Sequence, residues 1–130
     1  MKRFLFRSAM ILAAAVAAPA AQASNYYFSS SASGAGNGST ANPFSSLSSF
    51  DGLDLNPGDN VYLSGTFSAP SGGLTLGSQD AGTATKPVNI TSWGASQATI
   101  NAGDSFGIKA TNVGGIDISN ALCWSPDGKT

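Results

Sequence analysis

The stretch Thr85–Asn120, TKPVNITSWGASQATINAGDSFGIKATNVGGIDISN, decides how this chain is read. Its apolar residues alternate with polar ones over short runs, and Gly, Pro or Asn falls between the runs. Alternation sends every second side chain to one face, the pattern of a half-buried β-strand. No run has the spacing of a helix. Two segments nearly repeat: Gly107-Ile108-Lys109-Ala110-Thr111-Asn112 and Gly115-Ile116-Asp117-Ile118-Ser119-Asn120. Asn112 and Asn120 stand where the chain must bend after each strand, and Asn tolerates the left-handed backbone such a bend uses. Short, closely spaced strands suit a sandwich or barrel joined by tight hairpins. They also suit a solenoid, in which each strand pairs with its counterpart one coil later. The near-repeat favours the coil. Its short offset joins consecutive sides of one coil, not equivalent points on two.

Working upstream, Pro87–Trp93 is a strand with Val88 and Ile90 inward, preceded by the polar loop Gly77–Thr85. Leu74-Thr75-Leu76 is a short strand after Gly72-Gly73. Asn60–Ser64 alternates with Val61 and Leu63 on one face; Gly65 ends it and Phe67 re-enters the core. Asn56-Pro57-Gly58-Asp59 has Pro then Gly in the order of a type II turn. Pro43–Phe50 is the helical candidate. Phe44, Leu47 and Phe50 share one helix face, and Pro43 suits an N-terminal position. Its serines are middling helix formers, so the spacing predicts a short helix that must lay its apolar face over something. Asn25–Ser29 predicts a first strand, and Ser30–Asn42 a loop.

The ends differ from this body. Lys2, Arg3 and Arg7 precede the apolar run Ala9–Ala18, and Pro19–Ala23 supplies small residues at 21 and 23. That layout predicts a secretory signal peptide over 1–23, cut after Ala23. The run is shorter than the ~20 apolar residues a membrane span needs. A secreted or periplasmic chain is expected, with no membrane span after cleavage. The body is assigned to 24–120 and an irregular tail to 121–130. The abrupt change after Asn120 suggests a truncated or frameshifted reading frame, or a fragment.

Composition excludes several functions. Beyond the signal there is no Arg, Glu or His, and only Lys86, Lys109 and Lys129 stand against seven acidic residues. A nucleic-acid surface needs clustered Lys and Arg, so nucleic acid is not an expected partner. Cys123 is alone, so neither an internal disulfide nor a Cys/His metal site is expected, and it reads as a small buried hydrophobe. Gly34–Gly38 lacks the strand–helix context of a phosphate loop, and Gly128-Lys129-Thr130 lacks its earlier glycine.

The candidate carboxylates are Asp51, Asp54, Asp59, Asp80, Asp104 and Asp117. Turn and cap chemistry accounts for Asp51 and Asp54, and Asp59 orders the Pro-Gly turn. Asp117 alternates with Ile116 and Ile118 and points outward, with Lys109 nearby in sequence. Tyr62, Trp93 and Trp124 offer aromatic faces on which a sugar could stack, although packing in the core or at turns accounts for them better. Asn37-Gly38-Ser39 and Asn89-Ile90-Thr91 fit the glycosylation sequon by coincidence. No catalytic, cofactor-binding or metal-ligating residue is assigned.

The order of features resembles the N-terminal part of secreted right-handed parallel β-helix proteins, the pectate-lyase-like group. The resemblance runs from about Tyr26 to Asn120. It rests on Tyr26-Tyr27-Phe28, the Ser30–Asn42 loop, Pro43-Phe44 with Leu47, Pro57-Gly58-Asp59 before Val61-Tyr62-Leu63, Gly65-Thr66-Phe67, Gly82-Thr83, and Lys86-Pro87-Val88-Asn89-Ile90. It implies an all-β fold: a short right-handed parallel β-helix, a single-stranded solenoid of about two to three rungs, with a short N-terminal capping helix. It implies polysaccharide as partner class. The catalytic positions of that group's lyases lie on later rungs and have no match in this chain. The expectation is therefore an exported, non-catalytic β-helix segment serving as a structural or carbohydrate/surface-interaction module. The alternative is the N-terminal fragment of a polysaccharide lyase-like enzyme. An open β edge on the last rung is expected to promote self-association.

Overall fold

The computed structural model describes residues 22–103, 106–119 and 123–125. The signal-peptide segment up to residue 21, Asp104 and Asn120 lie outside the described residues. Strands form where the alternating runs were found. They are β1 (Asn25–Ser29), β2 (Asn60–Ser64), β3 (Thr66–Ser68), β4 (Leu74–Leu76), β5 (Val88–Ser92), β6 (Thr99–Asn101), β7 (Ile108–Ala110), β8 (Ile116–Ser119) and β9 (Cys123–Ser125).

Consecutive strands from β2 onward never pair with each other. They fall in turn into three sheets, ordered β1-β2-β5-β8, β3-β6-β9 and β4-β7. Every pairing is parallel. Parallel partners cannot be joined by a two-residue hairpin, so each connection must travel round before returning. The nearly repeated segments Gly107–Asn112 and Gly115–Asn120 contribute β7 and β8, which lie in different sheets.

Register follows burial. Tyr26, Val61, Ile90 and Ile118 align across the four-stranded sheet, as do Phe28, Leu63 and Ser92. A one-residue slip would send these apolar side chains to the solvent face. The inward residues join one cluster drawn from all three sheets, with Phe28, Val61, Leu63, Phe67, Leu74, Leu76, Val88, Ile90 and Ile100 buried. Each such side chain contributes about 1.5–3 kcal/mol on burial. Ser92 is the polar member of its column, and its Oγ accepts the Ala98 N–H at 2.8 Å.

The corners are set by backbone chemistry. Asp59 N–H donates to the Asn56 carbonyl at 3.0 Å, with Gly58 at φ 95°. That positive φ is what a type II turn asks of its third residue. β2 and β3 are separated by Gly65 alone, at φ 92°, and a Cβ there would collide with the Ser30 hydroxyl. Asn112 has φ 53°, the left-handed conformation expected of it.

Two expectations need correction. The helix is a 3-10 helix over Leu47–Gly52, not a helix from Pro43. Ser46 caps it by accepting the Ser48 N–H, so one of the serines expected inside a helix acts at its start, while Ser48 and Ser49 lie within it. Leu47 and Phe50 are buried as expected, but Phe44 leaves the helix face. It forms a parallel bridge with Phe28: Phe44 N–H donates to the Tyr27 carbonyl at 2.9 Å, and Ser29 N–H to the Phe44 carbonyl at 2.9 Å. Tyr27 N–H, in turn, donates to the Gly38 carbonyl at 2.8 Å. The Ser30–Asn42 loop therefore folds back with Phe44 along the outer edge of β1 and satisfies its backbone groups. The second correction concerns the tail. Cys123–Ser125, expected to be irregular, is a strand whose residues align with Thr99, Ile100 and Asn101. The backbone there pairs with β6, and that pairing outweighs the absence of a sequence repeat.

Candidate outer-face binding site

The alternation that buries Val61 and Ile90 must push their neighbours outward. On the four-stranded sheet this produces two aligned rows. One is Asn25, Asn60, Asn89 and Asp117; the other is Tyr27, Tyr62, Thr91 and Ser119.

The first row is a hydrogen-bonded ladder. Asn60 Nδ2 donates to Asn25 Oδ1 at 2.9 Å, and Asn89 Nδ2 donates to Asn60 Oδ1 at 2.9 Å. The amides also touch their own backbone, Asn60 Nδ2 at the Gly58 carbonyl (3.3 Å) and Asn89 Nδ2 at the Pro87 carbonyl (3.4 Å). Asp117 stands next in register and is exposed, as its alternation predicted.

In the second row, the rings of Tyr27 and Tyr62 stack with centroids 4.8 Å apart and planes 16° from parallel. Trp93 follows β5 and reaches back across the sheet. Its Nε1–H donates to the Phe28 carbonyl at 3.1 Å, and its ring meets Tyr27 edge-on at 5.3 Å. Packing therefore accounts for Trp93, the role favoured for it on sequence, while leaving it half-exposed beside the tyrosines. The Trp124 side chain lies outside the described residues.

The carboxylates do not converge on this face. Asp59 is fully buried and accepts the Ser24 N–H (2.6 Å) and the Asn56 N–H (2.9 Å), ordering the turn as expected. Asp80 is 2% exposed; its Oδ2 accepts the Gly77 N–H at 2.8 Å and its Oδ1 the Leu55 N–H at 3.4 Å. Asp54 is exposed behind the 3-10 helix. Asp51 and Asp80 share a cleft of about 270 Å³ with Phe50, Leu53, Thr75 and Gln79. Lys109 belongs to the two-stranded sheet opposite Thr75, with its Nζ 6.0 Å from the Phe106 ring centroid. It does not share a sheet with Asp117. Among the described residues, no three His, Cys, Asp or Glu side chains are grouped to hold a metal ion, and no helix is long and apolar enough to cross a membrane.

No protein-family model, no curated protein and no solved structure matches the chain.

The asparagine row and the Tyr27–Tyr62 pair are what sequence reading missed. Their signal is present: NYYFS, NVYLS, NITSW and DISN each place Asn or Asp at the first or second position of a strand, two residues before Tyr, Thr or Ser. The segments are separated by stretches of unequal length, 35 residues from Asn25 to Asn60 and 29 from Asn60 to Asn89. A search for a fixed period passes over them.

Proposed function

We propose that this chain is an exported, non-catalytic segment of a right-handed parallel β-helix, serving as a structural or surface-interaction module. Its contact surface is the outer face of the four-stranded sheet, and carbohydrate is the class of partner. One observation carries the reading. The outward residues of that sheet stand in register as a hydrogen-bonded amide row beside a stacked tyrosine pair. Aromatic rings beside amides and hydroxyls supply the apolar and polar contacts that a sugar presents.

Parallel strands that visit three sheets in turn support the coil. Right-handedness rests on the strong general preference of parallel crossovers. Export rests on the charged start, apolar run and small residues of the first 23 positions. A second reading is the N-terminal region of a polysaccharide lyase-like enzyme. The ordered set Pro57-Gly58-Asp59, Val61-Tyr62-Leu63 and Gly65-Thr66-Phe67 favours it.

The test has three parts. Expressed in a bacterium, the chain is expected in the periplasm or medium, with a mass lacking residues 1–23. Incubated with pectin, alginate or chondroitin, it is expected to release no ultraviolet-absorbing unsaturated product. Mixed with insoluble cell-wall polysaccharide, it is expected in the pellet. Product formation moves the assignment to the lyase reading, and failure to sediment removes the interaction module.

A further inference from the structure

The Tyr row is not uniform, and the change in side-chain size along it has a consequence. Tyr27 and Tyr62 occupy β1 and β2, whereas Thr91 and Ser119 occupy the aligned positions on β5 and β8. Tyr27 covers one face of the Tyr62 ring. On the other side the row continues with small hydroxyl residues, so the outer surface steps down from a ring to a shelf. Two strands give that shelf a width of about 10 Å across the sheet. A pyranose ring fits such a width.

We propose that this shelf is a subsite for one pyranose unit of a neutral polysaccharide, stacked on the side of Tyr62 away from Tyr27, over Thr91 and Ser119. The inference rests on the interaction-module reading above and names its site and ligand. Asn89 Nδ2 is spent on Asn60 Oδ1 and the Pro87 carbonyl. The row beside the shelf therefore ends in acceptors, Asn89 Oδ1 followed by the Asp117 carboxylate. Acceptors match the hydroxyl donors of a sugar. Asp117 is the charged member of the outward positions on this sheet, and its sign opposes a polyuronate. A neutral polymer is thereby selected over an acidic one.

The experiment uses the chain with its first 23 residues removed by export, and β-1,4-linked hexasaccharides of glucose, xylose and N-acetylglucosamine, with a hexagalacturonate as the acidic control. In amide-detected NMR titrations, at least one neutral probe is expected to move the Tyr62, Asn89, Thr91 and Ser119 signals, and hexagalacturonate is not. Thr91→Tyr continues the aromatic column while filling the shelf. It is expected to weaken binding of the neutral probe by tenfold or more, by calorimetry, with the thermal unfolding midpoint preserved. The proposal is overturned if no neutral probe shifts those amides, if the shifts lie elsewhere, or if folded Thr91→Tyr binds as the parent does. The wild-type titration decides the matter even where Thr91→Tyr does not fold. Sedimentation with wall polysaccharide alongside any overturning result removes the shelf alone, whereas loss of sedimentation removes the module reading beneath it.

Discussion

Asn89 donates its side-chain amide to Asn60 at 2.9 Å across 29 residues of sequence. Asn60 passes the same bond on to Asn25. Asn60 thus lends a donor to the preceding strand and an acceptor to the next, and the row locks the register of three strands from outside the core.

Asn60 is the middle member, so Asn60→Ala removes two hydrogen bonds between strands, along with its weak local bond to the Gly58 carbonyl, and Asn25→Ala removes one. At about 0.5–1.5 kcal/mol per bond, with the lower end expected at this half-exposed position, Asn60→Ala costs roughly 1–2 kcal/mol. Asn25→Ala costs about half that. Urea unfolding of the two variants checks the order, and equal losses would remove the ladder as a cooperative feature.

The ladder stops at Asp117 for a chemical reason. The next member would have to donate to Asn89 Oδ1, and a carboxylate only accepts. Asp117→Asn supplies the missing donor at the aligned position. A gain of about 0.5–1 kcal/mol is expected in the same urea measurement. A loss of stability shows that Asp117 does other work.

Asp59, fully buried, holds two backbone N–H groups, one from Ser24, 35 residues before it, and one from Asn56 in its own turn. Asp59→Ala leaves both donors without their acceptor, at about 1–3 kcal/mol for each unsatisfied group. The variant is expected to lose roughly 2–4 kcal/mol, or to fail to fold at 37 °C. Asp59→Asn retains one acceptor oxygen and is expected to lie between variant and parent. Thermal melts of the pair separate lost hydrogen bonding from lost volume.

Trp93→Phe keeps an aromatic ring near Tyr27 but removes the Nε1–H donor to the Phe28 carbonyl. A cost of about 1 kcal/mol is expected. Near-ultraviolet circular dichroism should also change, because the edge-on contact with Tyr27 is altered. An unchanged melting curve means that the indole hydrogen bond contributes nothing net.

The two edges of the four-stranded sheet differ. The Gly38–Phe44 segment covers the β1 edge, whereas among the described residues no strand lies beyond β8, where Ile118 is 49% exposed. An apolar open edge templates association, and a lysine there opposes it. Ile118→Lys is expected to lower the light-scattering mass of concentrated samples, with some loss of stability because Ile118 continues the inward column of Ile90. A parent that is already monomeric at millimolar concentration contradicts this.

Much of the strand layout was legible in the sequence because each strand carries its own alternation. Val61 with Leu63, Val88 with Ile90 and Leu74 with Leu76 identify strands and buried faces together. The turn at Pro57-Gly58 and the bend at Asn112 were equally local, since backbone chemistry at one or two residues suffices. The 3-10 helix was misread because Phe44, Leu47 and Phe50 satisfy helical spacing, while a partner 16 residues away, Phe28, takes Phe44 into a β-bridge. The candidate site was less legible. Trp93 and Tyr62 were named, but their neighbour Tyr27 was read only as a strand former.

By itself the sequence determined the strands over its alternating runs, the inward faces of Val61 with Leu63 and of Val88 with Ile90, and the acidic, Arg-free character of the body. Those properties depend on side chains close together in the chain. Tertiary structure alone decided which strands lie side by side, and therefore that Asn25, Asn60 and Asn89 form one row and that Tyr27 stacks on Tyr62. Partner choice depends on the lengths of irregular connections, and a hydrogen bond between amides requires alignment to within a fraction of an ångström. No local pattern encodes that alignment. It arises when the buried columns of Val61 and Ile90, Phe28 and Leu63, settle into a common register.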